Sequence, residues 1–272
     1  MSGRFVLGDC LDALADQPAG SAQLVYVDPP FGTGAAKRGR AGRYADPLAS
    51  ITAYLDFLLP RLDVMIRLLD AQGSLFVHLD YRTVHHVKVA LDRRLGPDRL
   101  VNELVWCYAV GGKGPHAFGR KHDTILWYAA GPRWRFYPDD VRIARRAGSH
   151  MKVTTDDDGR AVQVKTDRKT GRVYRYPVHA GKVPEDWWTD IETLNRGDRE
   201  RTGWPTQKPE RLLERILRAT TQPGDLVVDG FCGSGTTPAV AERLGRRWLA
   251  VDRSKDALAI ARGRVSARVA AG

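Results

Sequence analysis

The chain has 272 residues, 43% of them hydrophobic, which is enough for one substantial core and favours one domain or one domain with an insertion. Its 43 Lys and Arg outnumber its 32 Asp and Glu; the resulting charge of +11 suits a polyanion such as nucleic acid, although a basic solvated surface gives the same count. The three cysteines are isolated and no apolar run is long enough to cross a bilayer, so we expect a reduced, cytoplasmic protein with neither a disulfide framework nor a metal site and no membrane partner.

The first part of the chain alternates short apolar runs with amphipathic stretches, which is typical of a parallel sheet flanked by helices. Residues 51–70 carry apolar side chains at helical spacing, and Gly73 is predicted to end that helix. Four apolar runs predict buried strands, namely residues 24–27, 74–79, 104–108 and 124–129. A mobile loop containing Gly111, Gly112 and Gly114 is predicted between the last two of these strands.

The segment 133–185 changes character. Its residues 133–182 hold thirteen Lys or Arg against six Asp and show no clear period, so the segment is predicted to be an inserted, mostly extended module. The α/β pattern resumes after it. Residues 1–132 and 186–272 should therefore build one sheet together.

A glycine-rich turn follows the apolar strand predicted at 225–229 and opens a helix. Such a turn lets the backbone approach a ligand closely and directs unpaired N–H groups at it. Asp252 ends the next predicted strand, where a carboxylate reaches ribose hydroxyls in dinucleotide-binding folds. Taken alone, the turn fits a nucleoside cofactor site or a structural turn equally, and the absence of a Gly-Lys-Ser/Thr ending argues against a nucleotide triphosphatase.

The run Asp28-Pro29-Pro30-Phe31 lies at the carboxyl end of a predicted buried strand, where open α/β sheets place their ligands. The prolines stiffen the backbone and end the strand, the aspartate offers a carboxylate, and the phenylalanine presents an aromatic face. Together these residues can hold a flat heterocycle that carries an amino group.

Four motifs resemble those of the DNA amino-methyltransferases, which modify adenine at N6 or cytosine at N4; they are Gly8-Asp9-Cys10-Leu11, Asp28-Pro29-Pro30-Phe31, Thr206-Gln207-Lys208-Pro209 and Phe231-Cys232-Gly233-Ser234-Gly235-Thr236-Thr237. The resemblance spans nearly the whole chain. The catalytic motif precedes the cofactor motif, an order that resembles the beta class of the family. This implies a Rossmann-like methyltransferase sheet with helices on both faces, a circularly permuted motif order, and a target-recognition region at 133–185.

The resemblance implies S-adenosyl-L-methionine as cofactor. It assigns the ribose hydroxyls to Asp252, the adenine to Asp9, and the cofactor carboxylate to Thr206 and Lys208. From the residues alone, Asp9 would be a strand-end or helix-capping aspartate and Lys208 a solvated lysine. The residues expected at the cofactor site are Asp9, Cys10, Asp28, Thr206, Lys208, Phe231, Gly233, Ser234, Gly235, Thr236 and Asp252.

The residues expected to act on the base are Asp28, Pro29, Pro30 and Phe31. The Asp28 carboxylate and the Pro29 carbonyl can accept both hydrogens of an exocyclic amine, which frees its lone pair for attack on the cofactor's methyl group. Phe31 would stack on a base flipped out of the duplex, against the alternative of a core aromatic. Cys232 is interpreted as a packing residue, and Trp187 and Trp188 as packing residues rather than base stackers.

Double-stranded DNA is the partner that the resemblance implies, together with a homodimer as the alternative to a monomer. The stretch 32–43 is predicted to be a flexible basic loop that grips phosphates, or else a solvated loop. The predicted DNA contacts are Lys37, Arg38, Arg40, Arg43, Arg145, Arg146, Lys165, Arg168 and Lys169. The sequence does not reveal the recognition sequence or a cognate restriction enzyme.

Adenine is the favoured acceptor, because an Asp-Pro-Pro motif is common among the adenine enzymes of the family, and cytosine N4 is the alternative. RNA or protein acceptors and a catalytically silent DNA-binding module are further alternatives. The intact Asp28 and the intact glycine turn argue against a silent module. His122 and Asp123 are expected to make local hydrogen bonds near the base pocket.

Overall fold

The computed structural model describes residues 2–33, 36–45, 50–108, 115–145 and 151–269, with the backbone alone for 36–38, 43–45, 268 and 269. Within these ranges the strands are β1 (Gly3–Leu7), β2 (Ala22–Val27), β3 (Ala36–Gly39), β4 (Gly42–Ala45), β5 (Leu69–Leu79), β6 (Leu100–Cys107), β7 (His122–Ala129), β8 (Lys152–Thr155), β9 (Ala161–Thr166), β10 (Val173–Pro177), β11 (Trp187–Trp188), β12 (Leu226–Asp229) and β13 (Arg247–Asp252).

The α-helices within the same ranges are α1 (Cys10–Ala13), α2 (Ile51–Leu68), α3 (Val84–Leu95), α4 (Glu210–Thr220), α5 (Thr236–Arg243) and α6 (Lys255–Val269). Short 3-10 turns lie at Pro97–Arg99, Pro138–Val141 and Val178–Ala180. No described helix combines the length and the apolar character that a membrane span requires.

One eight-stranded sheet has the strand order β1-β13-β12-β2-β5-β7-β6-β11. Strand β7 is antiparallel to β5 and to β6, whereas the other neighbouring pairs are parallel. At the centre, Val227 and Val228 of β12 pair with Leu24 and Val25 of β2. Both ends of the chain therefore build one sheet, which confirms the predicted α/β fold class.

Both faces of this sheet are covered, because successive side chains of a strand point to opposite sides. Val25 and Val27 belong to a core that includes residues of α2 and α3, among them Leu58, Leu62 and Val87. Leu24 and Tyr26 belong to a second core that includes residues of α4, α5 and α6, among them Leu213, Val240 and Leu258. Alternate side chains of β2 thus pack against two different helical layers, which confirms the prediction of helices on both faces of the sheet.

Gly73 does not end α2, which corrects one sequence prediction. The helix stops at Leu68, strand β5 starts at Leu69, and Gly73 lies within β5. The pairing of β5 with β2 shifts register between Ala22 and Leu24, and a Cβ on Gly73 would lie 3.2 Å from the Ala22 carbonyl oxygen. Glycine at this position therefore permits the close approach of an irregular strand pair.

The basic stretch predicted to be a flexible loop forms a β-hairpin in its described part, which corrects a second prediction. Strands β3 and β4 pair antiparallel, with Arg38 opposite Arg43. The Ala41 N–H at the turn donates a hydrogen bond to the Gly203 carbonyl (3.3 Å). A Cβ on Gly42 would lie 2.4 Å from the Trp204 ring, so glycine lets the hairpin pack closely on the segment that precedes Thr206.

The chain divides into two compact units, one formed by residues 1–136 and 186–272 and the other by Tyr137–Glu185. The first unit carries the eight-stranded sheet. The second carries a three-stranded antiparallel sheet in the order β10-β9-β8. The predicted glycine loop at 109–114 lies outside the described residues.

Candidate active site

A cavity of about 490 Å³ lies at the carboxyl ends of β2, β12 and β13. Its lining includes the whole Asp28-Pro29-Pro30-Phe31 run and ten of the eleven residues expected at a cofactor site: Asp9, Cys10, Asp28, Thr206, Lys208, Phe231, Gly233, Ser234, Thr236 and Asp252. Because parallel neighbouring strands end at the same edge of a sheet, motifs about 200 residues apart in sequence meet there. The volume is within the usual range of small-molecule sites.

Gly235 is the expected cofactor residue that does not line the cavity. It caps the amino end of α5 with a φ of 77°, and a Cβ there would lie 2.5 Å from the Cβ of Ala261. Its role is therefore the close packing of α5 against α6. Gly233, with a φ of 50°, does face the cavity.

Asp252 ties the glycine turn to the end of β13. Its carboxylate accepts hydrogen bonds from the backbone N–H groups of Gly233 and Ser254, both at 2.8 Å. Burial raises the pKa of Asp252 in spite of these bonds. A carboxylate has about four acceptor positions, so Asp252 can still accept from a ligand hydroxyl.

Asp229, which was not predicted as a site residue, lines the cavity together with Asp28 and Asp252. It ends β12 and is 3% exposed. Burial raises the pKa of Asp229 to about 7, and the nearby charges of Asp28 and Asp252 act in the same direction. An acidic residue that ends an apolar strand directly before a glycine turn was the available sequence signal.

Lys208 binds the carboxylate of Asp28. Its Nζ lies 2.7 and 2.6 Å from the two Asp28 oxygens and 5.0 Å from the centroid of the Phe31 ring. Both side chains expected to hold the base are thus in contact with a lysine that the family resemblance assigns to the cofactor. Thr206, two residues before Lys208, has a φ of 70°, a strained value that costs a β-branched residue about 1–3 kcal/mol.

Asp9 caps the amino end of α1 and forms a bidentate pair with Arg61 of α2. Its carboxylate accepts from the Leu11 N–H (3.0 Å) and from Nε (3.0 Å) and Nη2 (2.5 Å) of Arg61. Burial acts to raise the pKa of Asp9, but the hydrogen bonds from Arg61 and Leu11 hold it below its ordinary value. The capping interpretation from the residues alone describes this geometry, and a contact with adenine stays a prediction.

Arg61 and Phe57 also line the cavity and were missed by the sequence analysis. The Arg61 guanidinium lies 4.0 Å from the Phe57 ring centroid, and the two residues are one helical turn apart on α2. An arginine four residues after an aromatic on the same helix was the signal for this pair.

Cys10 and Cys232 are buried free thiols beside the cavity. Burial raises the pKa of Cys10 to about 12 and that of Cys232 well above its ordinary value, so both remain neutral near pH 7. Neither is therefore activated as a nucleophile. Within the described residues, no cluster of three or more His, Cys, Asp or Glu could hold a metal ion.

The two tryptophans differ: Trp188 of β11 is 6% exposed and packs in the core, whereas Trp187 is 46% exposed. Among the predicted DNA contacts, Arg40 is exposed at the β3–β4 turn, and Arg145, Lys165, Arg168 and Lys169 lie in the second unit. Arg146 and the side chains of Lys37, Arg38 and Arg43 lie outside the described residues.

Residues 22–263 match the family model of the N6/N4 type described as DNA methylase. The match covers most of the chain, so the protein belongs to this family.

Two curated relatives are similar over most of this chain. The Type II methyltransferase M.EcaI of Enterobacter cloacae is 26% identical over 292 aligned residues, covering 86% of this chain and 62% of the relative. The Type II methyltransferase M.BglII of Bacillus subtilis is 30% identical over 261 residues, covering 93% of this chain and 66% of the relative. The chain thus spans slightly under two thirds of the length of each.

Two solved structures show the same fold. PvuII DNA methyltransferase (cytosine-N4-specific) aligns with a TM-score of 0.70 at 20% identity, over 96% of this chain and 86% of that one. The complex of M1.HpyAVI with S-adenosylmethionine aligns with a TM-score of 0.57 at 16% identity, over 96% of this chain and 99% of that one. Each alignment covers nearly the whole chain, so the fold is that of the DNA methyltransferases.

The raised pKa of Asp229 predicts a pH dependence of stability. The folded value, about 7, exceeds the ordinary value of 3.8, so between these pH values the native state binds more protons than the unfolded state. The free energy of unfolding should therefore fall as pH rises from about 4 to 7, by up to about 1.4 kcal/mol per pH unit from this group.

Urea unfolding of the wild type and Asp229→Asn across pH 4–8 tests this prediction. The variant should lose this part of the slope, whereas Asp16→Asn, at an exposed site, should keep the wild-type profile. Parallel profiles for wild type and Asp229→Asn would contradict it.

Proposed function

We propose that this protein transfers a methyl group from S-adenosyl-L-methionine to the exocyclic amino group of a base in duplex DNA, with N6 of adenine as the acceptor. The observation that carries this proposal is the shared cavity. It unites the Asp28-Pro29-Pro30-Phe31 run with the glycine turn and with Asp252. Membership of the DNA methylase family supports the same reaction.

The residues of the cavity fit this cofactor. Asp252 retains acceptor positions for ribose hydroxyls, and Lys208 offers a cation for a carboxylate. The carboxyl groups of Asp28 and Asp229 favour a positively charged sulfonium over a neutral ligand. When bound, S-adenosyl-L-methionine supplies an electrophilic methyl group.

Asp28 and Pro29 orient the amine, and Phe31 orients the base. The Asp28 carboxylate and the Pro29 carbonyl accept the two amine hydrogens, and charge-assisted bonds of this kind contribute about 1.5–3 kcal/mol each. The nitrogen lone pair would then point away from these acceptors. As the new N–C bond formed, the bond between the methyl carbon and the cofactor's sulfur would break, and the amine would release one proton to the Asp28 carboxylate. The base must leave the duplex to reach this cavity, and stacking on Phe31 offsets part of that cost.

Cytosine N4 is the second candidate acceptor. Its amino group also carries two hydrogens, so Asp28 and Pro29 serve it by the same geometry. The Asp-Pro-Pro order favours adenine.

Methyl transfer can be measured by incubating the protein with labelled S-adenosyl-L-methionine and mixed-sequence duplex DNA, followed by mass spectrometry of the nucleosides. N6-methyladenine is the expected product. Asp28→Ala should reduce its yield at least about a hundredfold, because the amine loses its charged acceptor. The exposed Asp98→Ala is the matched control and should retain activity.

N4-methylcytosine as the product would select the second candidate acceptor. A wild-type protein that binds the cofactor but modifies neither base would contradict DNA methylation.

Lys208 is proposed to exchange Asp28 for the carboxylate of the cofactor. The exchange would uncover both the Asp28 oxygens and the Phe31 ring, which Lys208 contacts in this structure. Cofactor binding would then prepare the base site.

Calorimetry with two uncharged-sulfur ligands tests this exchange, because neither ligand carries the sulfonium that Asp28 attracts. S-adenosylhomocysteine has the amino acid carboxylate, whereas 5′-methylthioadenosine lacks it. Lys208→Met should weaken S-adenosylhomocysteine by about 10–100-fold and Asp28→Asn should tighten it, since the lysine is then unpaired. Equal effects on 5′-methylthioadenosine would contradict the exchange.

The second unit is proposed to be the target-recognition region, as predicted for 133–185. It contains a row of stacked side chains in the order Arg172, Tyr174, Tyr176 and Arg145, of which the two tyrosines lie on β10. The Arg172 guanidinium lies 5.1 Å from the Tyr174 ring, the two tyrosine rings are 6.5 Å apart at 12°, and the Arg145 guanidinium lies 4.9 Å from the Tyr176 ring. Stacked guanidinium and phenol groups keep their polar edges in a fixed plane, which suits contacts with phosphates and base edges.

Substitution of Arg172 tests the role of this row. Arg172→Gln should weaken binding to duplex DNA and lower the slope of log affinity against log salt by about 1, if it contacts one phosphate. Arg94→Gln on α3, at a residue paired with Asp63, is the control and should keep the wild-type slope. Identical slopes for wild type and Arg172→Gln would count against the row as a DNA contact.

A further inference from the structure

A row of polar side chains crosses four neighbouring strands beside the cavity. The Tyr26 hydroxyl of β2 lies 2.9 Å from Nδ1 of His78 on β5, and Nε2 of His78 lies 3.1 Å from Oδ2 of Asp123 on β7. The Tyr108 hydroxyl, directly after β6, donates to Oδ1 of Asp123 at 3.0 Å. The row follows the strand order β2-β5-β7-β6 of the sheet.

Three members of this row are buried, and burial demands complete hydrogen bonding. Tyr26, His78 and Asp123 are 2%, 0% and 8% exposed. An unpaired polar group at such a site costs about 1–3 kcal/mol. Both ring nitrogens of His78 and both oxygens of Asp123 have partners here, so the row fixes one arrangement of its rings.

The hydrogen bonds also fix which nitrogen of His78 carries a proton. Burial acts to raise the pKa of Asp123, but the hydrogen bonds from His78 and Tyr108 and the charge of Lys208 hold it below its ordinary value. Asp123 is therefore a carboxylate at neutral pH and can only accept. Nε2 of His78 then donates to Asp123 whether or not Nδ1 is also protonated.

The imidazole of His78 is the surface against which Phe31 lies. The two rings stack with centroids 6.0 Å apart at an interplanar angle of 28°. Trp106 meets the same imidazole edge-on, with centroids 5.6 Å apart at 90°. Hydrogen bonds at both nitrogens and this perpendicular indole prevent the imidazole from turning, so the plane offered to Phe31 is constant.

We infer that His78 is a positioning residue, which acts through Phe31 to set the plane in which the target base stacks. This inference rests on the proposed function and adds a residue to it. The base plane decides where the exocyclic amine falls relative to Asp28 and Pro29. A displacement of about 1 Å at a reacting centre costs about a hundredfold in rate, so a support behind Phe31 affects the transfer step without touching the substrate.

The test is a double-mutant cycle between His78 and Phe31. The four proteins are the wild type, His78→Gln, Phe31→Ala and the double variant. The measured quantity is the single-turnover rate of methyl transfer to duplex DNA at saturating cofactor and DNA, with calorimetric affinity for S-adenosylhomocysteine as a second readout. His78→Gln should slow transfer about 10–100-fold in the wild type and change the affinity less than about twofold. In the Phe31→Ala background the same substitution should have almost no effect, because its target is already absent.

Trp127→Phe is the matched structural control. Trp127 is also a buried aromatic in the sheet, and its Nε1–H donates to the Ser74 hydroxyl at 3.0 Å, away from the cavity lining. It should lower the melting temperature and leave the single-turnover rate of the folded protein unchanged. If Trp127→Phe lowers the melting temperature without changing the rate, a loss of stability does not by itself explain a slower rate in His78→Gln.

Tyr26→Phe covers the case in which His78→Gln does not fold. It removes one hydroxyl, frees Nδ1 of His78, and should slow transfer by a smaller factor that also vanishes in the Phe31→Ala background. An equal loss of rate in both backgrounds, or no loss in the wild-type background, would overturn the inference. A wild-type protein that binds S-adenosylhomocysteine but transfers no methyl group to DNA would overturn the proposed function, and this inference with it.

Discussion

Parallel pairing of β13, β12 and β2 brings three carboxyl groups to one edge of the sheet, although they come from opposite ends of the chain. Asp252 ends β13, Asp229 ends β12, and Asp28 follows β2. In the ladder of backbone hydrogen bonds, Asp229 pairs with Ala250, two residues before Asp252, and Val228 pairs with Val25, three residues before Asp28. Strand register therefore sets the separation of these acids. The cavity lies at this edge of the sheet.

Three carboxylates in one cavity repel one another, and each of them is compensated by a different interaction. Asp252 is bound by backbone N–H groups, Asp28 is neutralised by Lys208, and Asp229 takes up protons readily, since its pKa is raised to about 7. A fourth acid, Asp9, is paired with Arg61.

The parts of this site that follow from local backbone geometry could be predicted from the sequence. Two consecutive prolines disfavour a continued strand, and a glycine-rich turn after an apolar strand favours the start of a helix. The motifs Asp28-Pro29-Pro30-Phe31 and Phe231-Cys232-Gly233 carry that information in a few consecutive residues. The resemblance to a family then assigned these motifs to the base and to the cofactor. The sequence did not show that Gly235 packs against Ala261 instead of lining the cavity, because close packing and ligand approach both select glycine.

The remaining parts depend on strand register and helix rotation, which no local pattern encodes. Arg61 meets Asp9 because α2 packs against β2 with one particular face, and His78 meets Asp123 because β5 and β7 pair in one register. The hairpin β3–β4 was missed since its sequence is rich in glycine and arginine rather than in strand formers. In each case, packing or strand pairing between distant segments determines the structure, and local composition does not predict it.

The second unit begins and ends as a paired stem. Ile143 and Lys182 exchange backbone hydrogen bonds of 2.8 and 2.9 Å, so the chain leaves this unit beside the point at which it enters. Insertions and deletions between Ile143 and Lys182 would alter the enclosed segment while these two residues stay paired. Replacement of the enclosed segment by recombination would therefore leave the strands β2, β12 and β13 unchanged.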